Sequence, residues 1–487
     1  MMKKLLVAVL VVVGVFNAIK PFPDGINLSG AEYRVPENAV RFYSDTTYGD
    51  EAGARFSEQE IFDEILRMIE GADRYILADM FLYNDFLGTA TSSYRALSRE
   101  LTDALVSKKE RDDDIKIVFI TDPINEIYGG YPSEYIARLR DAGIDVIVTN
   151  LDPLRDSNPL YSALWRTFAR WFGNDSREGF LPNPFDSRGQ KLGVRAYLAL
   201  FNFKANHRKL IVADRSVSGG VELVSLVTSA NPHDGSSAHT NTAIAVSGFV
   251  WRDVVRGEQA VADMSGGGDI GPPPDVVVRV EEREKMIAED ASVAVRVITE
   301  KRIRESVVER IDRLEEGDRF DMAMFYLSDR PVVRAMKRAA NRGAAIRVLL
   351  DPNKDAFGRK KNGIPNRQVA RELAESSENI EIRWCDTRGE QCHTKLLIFD
   401  YGDEVSLING SANLTRRNIG GYNLETNILV RADSEAGVVR AARAYFDTVW
   451  NNEPGKKYSA AYGAYGEKNA VKTFLYYLME LSGMSSF

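Results

Sequence analysis

The residues best suited to chemistry lie in one short stretch that the chain carries twice. The first copy is Asn206-His207-Arg208-Lys209-Leu210-Ile211-Val212-Ala213-Asp214, followed by Thr228-Ser229-Ala230-Asn231. The second is Cys392-His393-Thr394-Lys395-Leu396-Leu397-Ile398-Phe399-Asp400, followed by Gly410-Ser411-Ala412-Asn413. Each reads His-x-Lys, four residues, Asp, then Ser-Ala-Asn. Of the four histidines in the sequence, two head the copies, and His233 and His239 follow closely behind the first. The apolar run after each His-x-Lys reads as a buried strand. Alternation along that strand puts His and Lys on one side, because residues i and i+2 share a face.

Two such copies face to face would bring two His, two Lys, two Asn and two Ser around one cavity. That set suits an anionic phosphodiester. Lysines neutralise its non-bridging oxygens, and Asn and Ser donate hydrogen bonds to them, a form of stabilisation that is often the largest catalytic contribution. One histidine attacks phosphorus and the other protonates the leaving oxygen, splitting one hard displacement into two easier ones. The sequence has no Cys/His ligand spacing and no H-E-x-x-H, so neither a metal nor another cofactor is expected.

The doubled H-x-K-x4-D with trailing G/T-S-x-N resembles the phospholipase D superfamily over roughly residues 40 to 450. The resemblance implies two tandem α/β/α sandwich domains related by a pseudo-twofold, with the active site at their interface. It implies a phosphohistidine intermediate, one motif histidine as nucleophile and the other as acid, and a mostly orienting role for Asp214 and Asp400. Members often carry a carboxylate some residues after the Asn that holds the histidine. The second half supplies Glu425 at that place, and alignment of the halves puts Asn241 there in the first. The expectation is that Glu425 pairs with His393 and makes it the acid, leaving His207 as nucleophile.

The elements that must position these residues alternate helix and strand, which argues for a layered α/β fold. In the first half, Ser57 opens a helix to Met68 as a capping-box residue with Glu60. The strand from Tyr75, a helix over 94–106, the strand from Ile115 ending in Thr121-Asp122-Pro123, a helix over 135–142 and a strand from Asp145 follow. The second half repeats this order: a helix over 304–314, a strand from Phe320, a helix over 331–342, a strand from Ala345 ending in Asp351-Pro352, a helix over 368–376 and a strand from Ile380. The motif comes last in each half, the mark of an internal duplication.

The resulting division is 1–19 targeting segment, 20–56 irregular linker, 57–264 first domain, 265–275 linker, 276–452 second domain and 453–487 tail. Residues 265–275, Ser-Gly-Gly-Gly-Asp-Ile-Gly-Pro-Pro-Pro-Asp, have a linker composition. Lys3-Lys4 ahead of an apolar run to Ile19 read as a cleaved signal peptide or an uncleaved anchor. Residues 151–200 form an apolar insertion absent from the second half. Tyr161, Leu164, Trp165, Phe168 and Phe172 there share a helical face with Arg166 and Arg170 opposite. That pattern suits either an interfacial membrane helix or a helix packed on the core. Residues 471–481 read as an amphipathic aromatic helix that touches membrane, seals the core or mediates self-association. Cys385 and Cys392 bracket a short loop before His393, as a disulfide or as two free thiols.

The net charge of −7 and pI near 5.5 speak against a nucleic-acid partner, which usually leaves a basic footprint. The expectation is therefore a membrane-associated enzyme of the bacterial cell envelope, a phospholipase D or phosphatidyltransferase similar to cardiolipin synthases. Its substrates would be a phospholipid and an alcohol or water acceptor. The other readings are a nuclease with the same catalytic set and a non-catalytic envelope scaffold.

Overall fold

The computed structural model describes the chain except residues 91–93, 173–178, 187–188, 288–290, 467 and 486–487, and the side chains of 285–287. Parts of the expected insertion and tail thus lie outside the described residues. Helix α1 (Met2–Ile19) comes first. It is long and apolar enough to cross a membrane, with a mean hydropathy of 2.1.

Residues 20–56 are not an irregular linker. They contain β1 (Tyr33–Val35), β2 (Val40–Gly49) and the start of β3 (Arg55–Glu58). The surrounding Pro and Gly hide a short aromatic and Thr-rich run with good strand propensity. Ser57 therefore lies in a strand and caps nothing. Helix α2 (Ile61–Gly71) starts four residues later, and the buried Asp45 of β2 accepts from the Glu60 and Ile61 N–H groups at 2.9 and 3.1 Å.

The first half continues with β4 (Tyr75–Met80), α3 (Leu97–Arg111), β5 (Lys116–Thr121), α4 (Glu134–Asp141) and β6 (Asp145–Val148). The insertion supplies α5 (Pro159–Thr167) and α6 (Val194–Leu200). The motif strand β7 (Lys209–Val217) follows, with β8 (Gly220–Thr228), β9 (Asn241–Ser247), α7 (Trp251–Met264) and α8 (Pro274–Ile287). Helix α8 begins inside the expected linker, because Pro273-Pro274 suits a helix start.

The second half runs β10 (Val293–Thr299), α9 (Glu300–Arg313), β11 (Arg319–Met324), α10 (Arg330–Asn341) and β12 (Ala345–Leu350). A small hairpin, β13 (Asp355–Ala356) and β14 (Arg359–Lys360), precedes α11 (Asn366–Ala374) and β15 (Ile380–Cys385). Then come β16 (Lys395–Asp400), β17 (Glu404–Gly410), α12 (Arg416–Ile419), β18 (Thr426–Asp433), α13 (Gly437–Asn451), β19 (Ser459–Ala461) and α14 (Ala470–Ser482).

Among the described residues two large sheets form, ordered β3-β2-β9-β8-β7-β4-β5-β6 and β1-β10-β18-β17-β16-β11-β12-β15-β19. The inner orders β9-β8-β7-β4-β5-β6 and β18-β17-β16-β11-β12-β15 correspond strand for strand. Registers correspond as well: Met80 sits opposite Lys209 and Met324 opposite Lys395.

Both faces of the motif strands are buried, which is why their apolar runs are continuous rather than alternating. On β7, Leu210 and Val212 enter a core shared with Leu396 and Ile398 of β16. Ile211 and Ala213, and on the other side Leu397 and Phe399, face the helices of their own halves. The shared core presses the two sheets together and fixes the seam where the motifs meet.

Candidate active site

Each motif histidine lies in the loop entering its strand rather than in the strand itself. The loops are cross-wired between halves by backbone hydrogen bonds. The His207 N–H donates to Leu424 O (2.9 Å) and Leu424 N–H to Ala205 O (3.0 Å). Reciprocally, His393 N–H donates to Thr240 O (2.8 Å) and Thr240 N–H to Gln391 O (3.1 Å). Each histidine is thus positioned by the strip preceding β9 or β18 of the opposite half.

The Asp-Pro corners hold the same loops. Asp122 accepts from the Asn206 N–H at 2.6 Å, and Asp351 accepts from the Cys392 N–H at 2.8 Å. Burial pushes the Asp122 carboxyl up to about 7 and that of Asp351 upward as well. Cys385 and Cys392 are disulfide-bonded, with Cα atoms 6.1 Å apart, tying the second motif loop to β15.

One expectation is overturned here. Glu425 does not pair with His393. Its carboxylate oxygens stand 2.9 and 3.1 Å from His207 Nδ1, across the seam. His393 Nδ1 instead meets Asn241 Oδ1 at 3.1 Å. The cross-wiring is the cause: the strip carrying Glu425 pairs with the first motif loop, and the strip carrying Asn241 pairs with the second.

The protons on both rings can be assigned. Glu425 is an acceptor, so His207 Nδ1 donates to it. Asn241 Nδ2 donates to His239 O (3.0 Å), which turns its Oδ1 toward His393 and makes His393 Nδ1 a donor too. The Nε2 atom of each neutral ring then carries a lone pair. The Glu425 carboxylate is held further by Ser411 Oγ and Asn418 Nδ2, which both donate to it. Ser229 Oγ donates to Asn241 Oδ1 at 3.0 Å. The two motif serines thus orient the histidine partners, and the expectation that they donate to phosphate is corrected.

Lys209 and Lys395 are fully buried, and each donates from Nζ to the carbonyl of its own histidine at 2.7 Å. Phe81 flanks His207 and Lys209, with Nζ 4.9 Å from its ring centre; Phe325 flanks His393 and Lys395, at 5.2 Å. Burial lowers all four bases. His207 falls to about 4 although Glu425 opposes the fall, and His393 falls well below its ordinary value through burial and then Lys395. Lys209 drops to about 7 by burial, and Lys395 drops well below its usual range through burial and then Lys209. Burial alone would raise Glu425, but His207 and Lys209 hold it below the usual carboxylate value. Bases lowered by burial in this way are the condition that an anionic substrate relieves.

Asn231 and Asn413 are buried beside this set. Asn231 Oδ1 accepts from the Leu82 N–H (3.3 Å), and Asn413 Oδ1 is buried without a hydrogen-bond partner. Asp214 and Asp400 sit five residues along their strands from the lysines, about 16 Å away. Asp214 accepts from the N–H groups of Asp73, Arg74 and Tyr75 at the start of β4, and Asp400 takes Arg443 and the Gly402 N–H. Both shape the fold rather than the cavity.

Three contributors escaped the sequence reading. Asp122 and Asp351 are the first two. The third is Arg208, the middle residue of the first His-x-Lys, fully buried and paired with Glu258 (2.8 Å) and Glu300 (2.7 Å). Glu300 opens α9 of the second half, so this pair of contacts pins the seam beside His207. No cluster of potential metal ligands is found among the described residues.

Residues 307–450 match the family model described as cardiolipin synthase, PLD-like domain. No curated protein matches the chain by sequence. Among solved structures, phosphatidylserine synthase from Haemophilus influenzae Rd KW20 is similar with a TM-score of 0.56 at 9% identity, covering 94% of this chain and 96% of that one. Polyphosphate kinase from Porphyromonas gingivalis gives 0.45 at 12% identity, with 92% and 53% covered. Nuc from Salmonella typhimurium, a phospholipase D family member, gives 0.26 at 18% identity, with 34% and 97% covered. The first of these supports the fold over nearly the whole length.

Proposed function

We propose that this chain, which belongs to the phospholipase D superfamily, is a membrane-associated phosphatidyltransferase working through a phosphohistidine on His207. The observation that carries the roles is the unequal partnering of two otherwise equivalent histidines, Glu425 on His207 and Asn241 on His393; it replaces the premise that the Glu-paired ring is the acid, because the carboxylate offsets the charge that phosphorylation puts on His207.

In the first step His207 Nε2 attacks the phosphorus of a glycerophospholipid. The N–P bond forms, the bond from phosphorus to the headgroup oxygen breaks, and His393 gives that oxygen its proton. The negative charge of the phosphodiester, entering among four buried bases, raises their proton affinity, so that His393 takes up a proton from solvent at Nε2 as the substrate binds. Glu425 neutralises the imidazolium character that grows on His207. Lys209 and Lys395 balance the non-bridging oxygens, and Asn231 and Asn413 present amides to them. In the second step an alcohol loses its proton to His393 as its oxygen bonds to phosphorus, and the N–P bond breaks. Water in place of the alcohol gives phosphatidic acid.

The surface supports a lipid substrate. Helix α1 packs on α5 through Gly14, where an added Cβ would lie 3.2 Å from Pro159 O and 3.5 Å from Ala163 Cβ. The expected aromatic helix breaks at Phe168, and its arginines are tied down, Arg166 to Asp156 and Arg170 to Asp152. Leu160, Leu164, Trp171 and Phe172 are left exposed beside the bare apolar face of α1. A cavity of about 460 Å³ opens there, lined by Trp171, Arg195 and the paired Arg166, Arg170, Lys204 and Asp152. An exposed apolar face of this kind suits a lipid surface.

The test uses the full chain in detergent with phosphatidylglycerol, with and without added glycerol, and chromatography of the lipids. Products of headgroup exchange are expected, lost by ~10²–10⁴-fold or more in His207→Ala and in His393→Ala. Cleavage of DNA or RNA without any lipid product would overturn the reading.

A further inference from the structure

Within the strip that cross-wires the two halves, His239-Thr240-Asn241 of the first corresponds to Asn423-Leu424-Glu425 of the second. Thr240 and Leu424 make equivalent backbone bonds, and Asn241 and Glu425 take the equivalent histidines. The remaining pair is His239 and Asn423. Asn423 acts structurally, since its Oδ1 accepts from the Ala205 N–H at 3.1 Å. His239 does not act in this way. Its ring turns instead toward His393, with ring centres 5.7 Å apart, and its buried Nδ1 has no hydrogen-bond partner.

A buried polar atom without a partner is destabilising, so the position is unfavourable unless a ligand satisfies it. The other spare histidine sharpens the contrast. His233 is fully satisfied, with Nδ1 2.6 Å from Ser236 Oγ and Nε2 2.6 Å from Phe86 O. Both rings pack on Phe357, at the tip of the β13–β14 hairpin; its centre lies 5.2 Å from His233 and 5.9 Å from His239. The hairpin crosses from the second half to the first, where the Thr89 N–H donates to Phe357 O at 3.0 Å. His239 therefore stands between His393 and an aromatic wall.

We propose that His239 recognises the alcohol in this reaction, both the departing headgroup and the incoming acceptor, through a second hydroxyl of an uncharged polyol. This rests on the phosphatidyltransferase reading above. In-line displacement puts the alcohol opposite His207, on the His393 side, where His239 lies. Burial, then His233, Lys395, Lys361 and Arg55 keep the His239 ring neutral. A neutral imidazole donates at one nitrogen and accepts at the other, the complement of a hydroxyl. The neighbouring Lys361 and Arg55 disfavour an alcohol that carries an ammonium group.

The experiment compares wild type with His239→Phe, which keeps the ring and removes both nitrogens. Each is given phosphatidylglycerol and rising glycerol, and transfer and hydrolysis products are measured together. The transfer-to-hydrolysis ratio does not depend on the amount of folded enzyme. His239→Phe is expected to raise the glycerol KM and lower that ratio by about tenfold, the value of one hydrogen bond. An unchanged ratio and KM, in a wild type that forms exchanged lipid, overturns the role of His239 and leaves the phosphatidyltransferase reading standing. No lipid product from wild type overturns both. If His239→Phe does not fold, a series of acceptors on wild type decides. Glycerol is expected to outcompete 1-propanol and ethanolamine by about tenfold each, and parity among the three refutes the proposal.

Discussion

Replacing Glu425 by Gln is the sharpest perturbation of the site, because it removes a charge and almost nothing else. Three donors converge on this carboxylate: His207 Nδ1, Ser411 Oγ and Asn418 Nδ2. A glutamine oxygen can still take His207 and Asn418, and its amide can donate to the Ser411 hydroxyl, which accepts as readily as it donates. The Nδ1–H tautomer of His207 is thereby kept, as it is in the His393–Asn241 pair. Burial already holds His207 neutral with a pKa of about 4, so the substitution leaves its resting protonation state unchanged. The effect falls on the transition state, where the imidazole becomes cationic.

The magnitude has two bounds. Hydrogen bonds to charged groups contribute about 1.5–3 kcal/mol against about 1 for neutral ones, giving a loss of about 1–2 kcal/mol. Two unit charges at the observed separation near 3 Å interact by about 5 kcal/mol at an effective dielectric of 20. Formation of the phosphohistidine should therefore slow by between ~10-fold and ~10³-fold. The assay is a rapid quench into base, followed by mass spectrometry of the peptides carrying His207 and His393. Phosphate on His393, or a rate within about threefold of wild type, would refute the assignment of roles.

Lys209, lowered to about 7, should make anion binding depend on pH. A bound anion raises its pKa, so affinity for vanadate should be flat below pH 7 and fall as pH rises above it, with proton uptake seen by calorimetry in buffers of different ionisation enthalpy; constant affinity from pH 6 to 9 would sink this. Arg208→Met leaves two buried carboxylates facing each other and should cost about 3–5 kcal/mol in unfolding free energy, read by denaturant titration. Cys385→Ser opens a loop with a sequence separation of 7 and should cost about 2 kcal/mol; a reducing agent should reproduce that loss in the wild type and add nothing in the variant. Trp171→Glu with Phe172→Glu, in a chain lacking residues 1–19, should weaken flotation with anionic vesicles by at least about tenfold, and unaltered flotation would remove this face from the membrane.

The sequence made the repeated chemistry legible and its wiring illegible, for reasons that particular residues explain. His207, Lys209, His393 and Lys395 stand out because polar residues ahead of a fully apolar strand are rare and these recur at one spacing. Strand and helix order followed from periodicity, with ends displaced by a few residues. Glu425 was visible, but a repeat invites the assumption that each half is self-contained. The exchange of Leu424 and Thr240 across the seam reverses its partner, and nothing local in the sequence records it. The Asp-Pro corners were seen at equivalent places, yet that Asp122 and Asp351 hold the motif loops requires strands far apart in the chain to meet. Arg208 occupies a position that the motif treats as free. The strand over 40–49 was masked by its Pro and Gly neighbours, although its Asp45 turns out to cap α2.

A duplicated fold supplies two equivalent histidines, whereas a two-step displacement needs them to differ. The strip 239–241 against 423–425 is where this chain makes the difference. Its middle residues keep the same backbone bonds, so the scaffold remains symmetric to within a side chain. Its third residues set a carboxylate against an amide, which on the proposed reading favours cationic character on His207 and leaves His393 to give and recover a proton. Its first residues set a structural Asn423 against an unpartnered His239. Both departures act across the seam on the opposite half's histidine. Exchanging the third residues, with Glu425→Gln and Asn241→Asp together, should therefore move the phosphoenzyme toward His393 rather than merely abolish it. A double variant still phosphorylated on His207 at the single-variant rate would show that the asymmetry lies elsewhere.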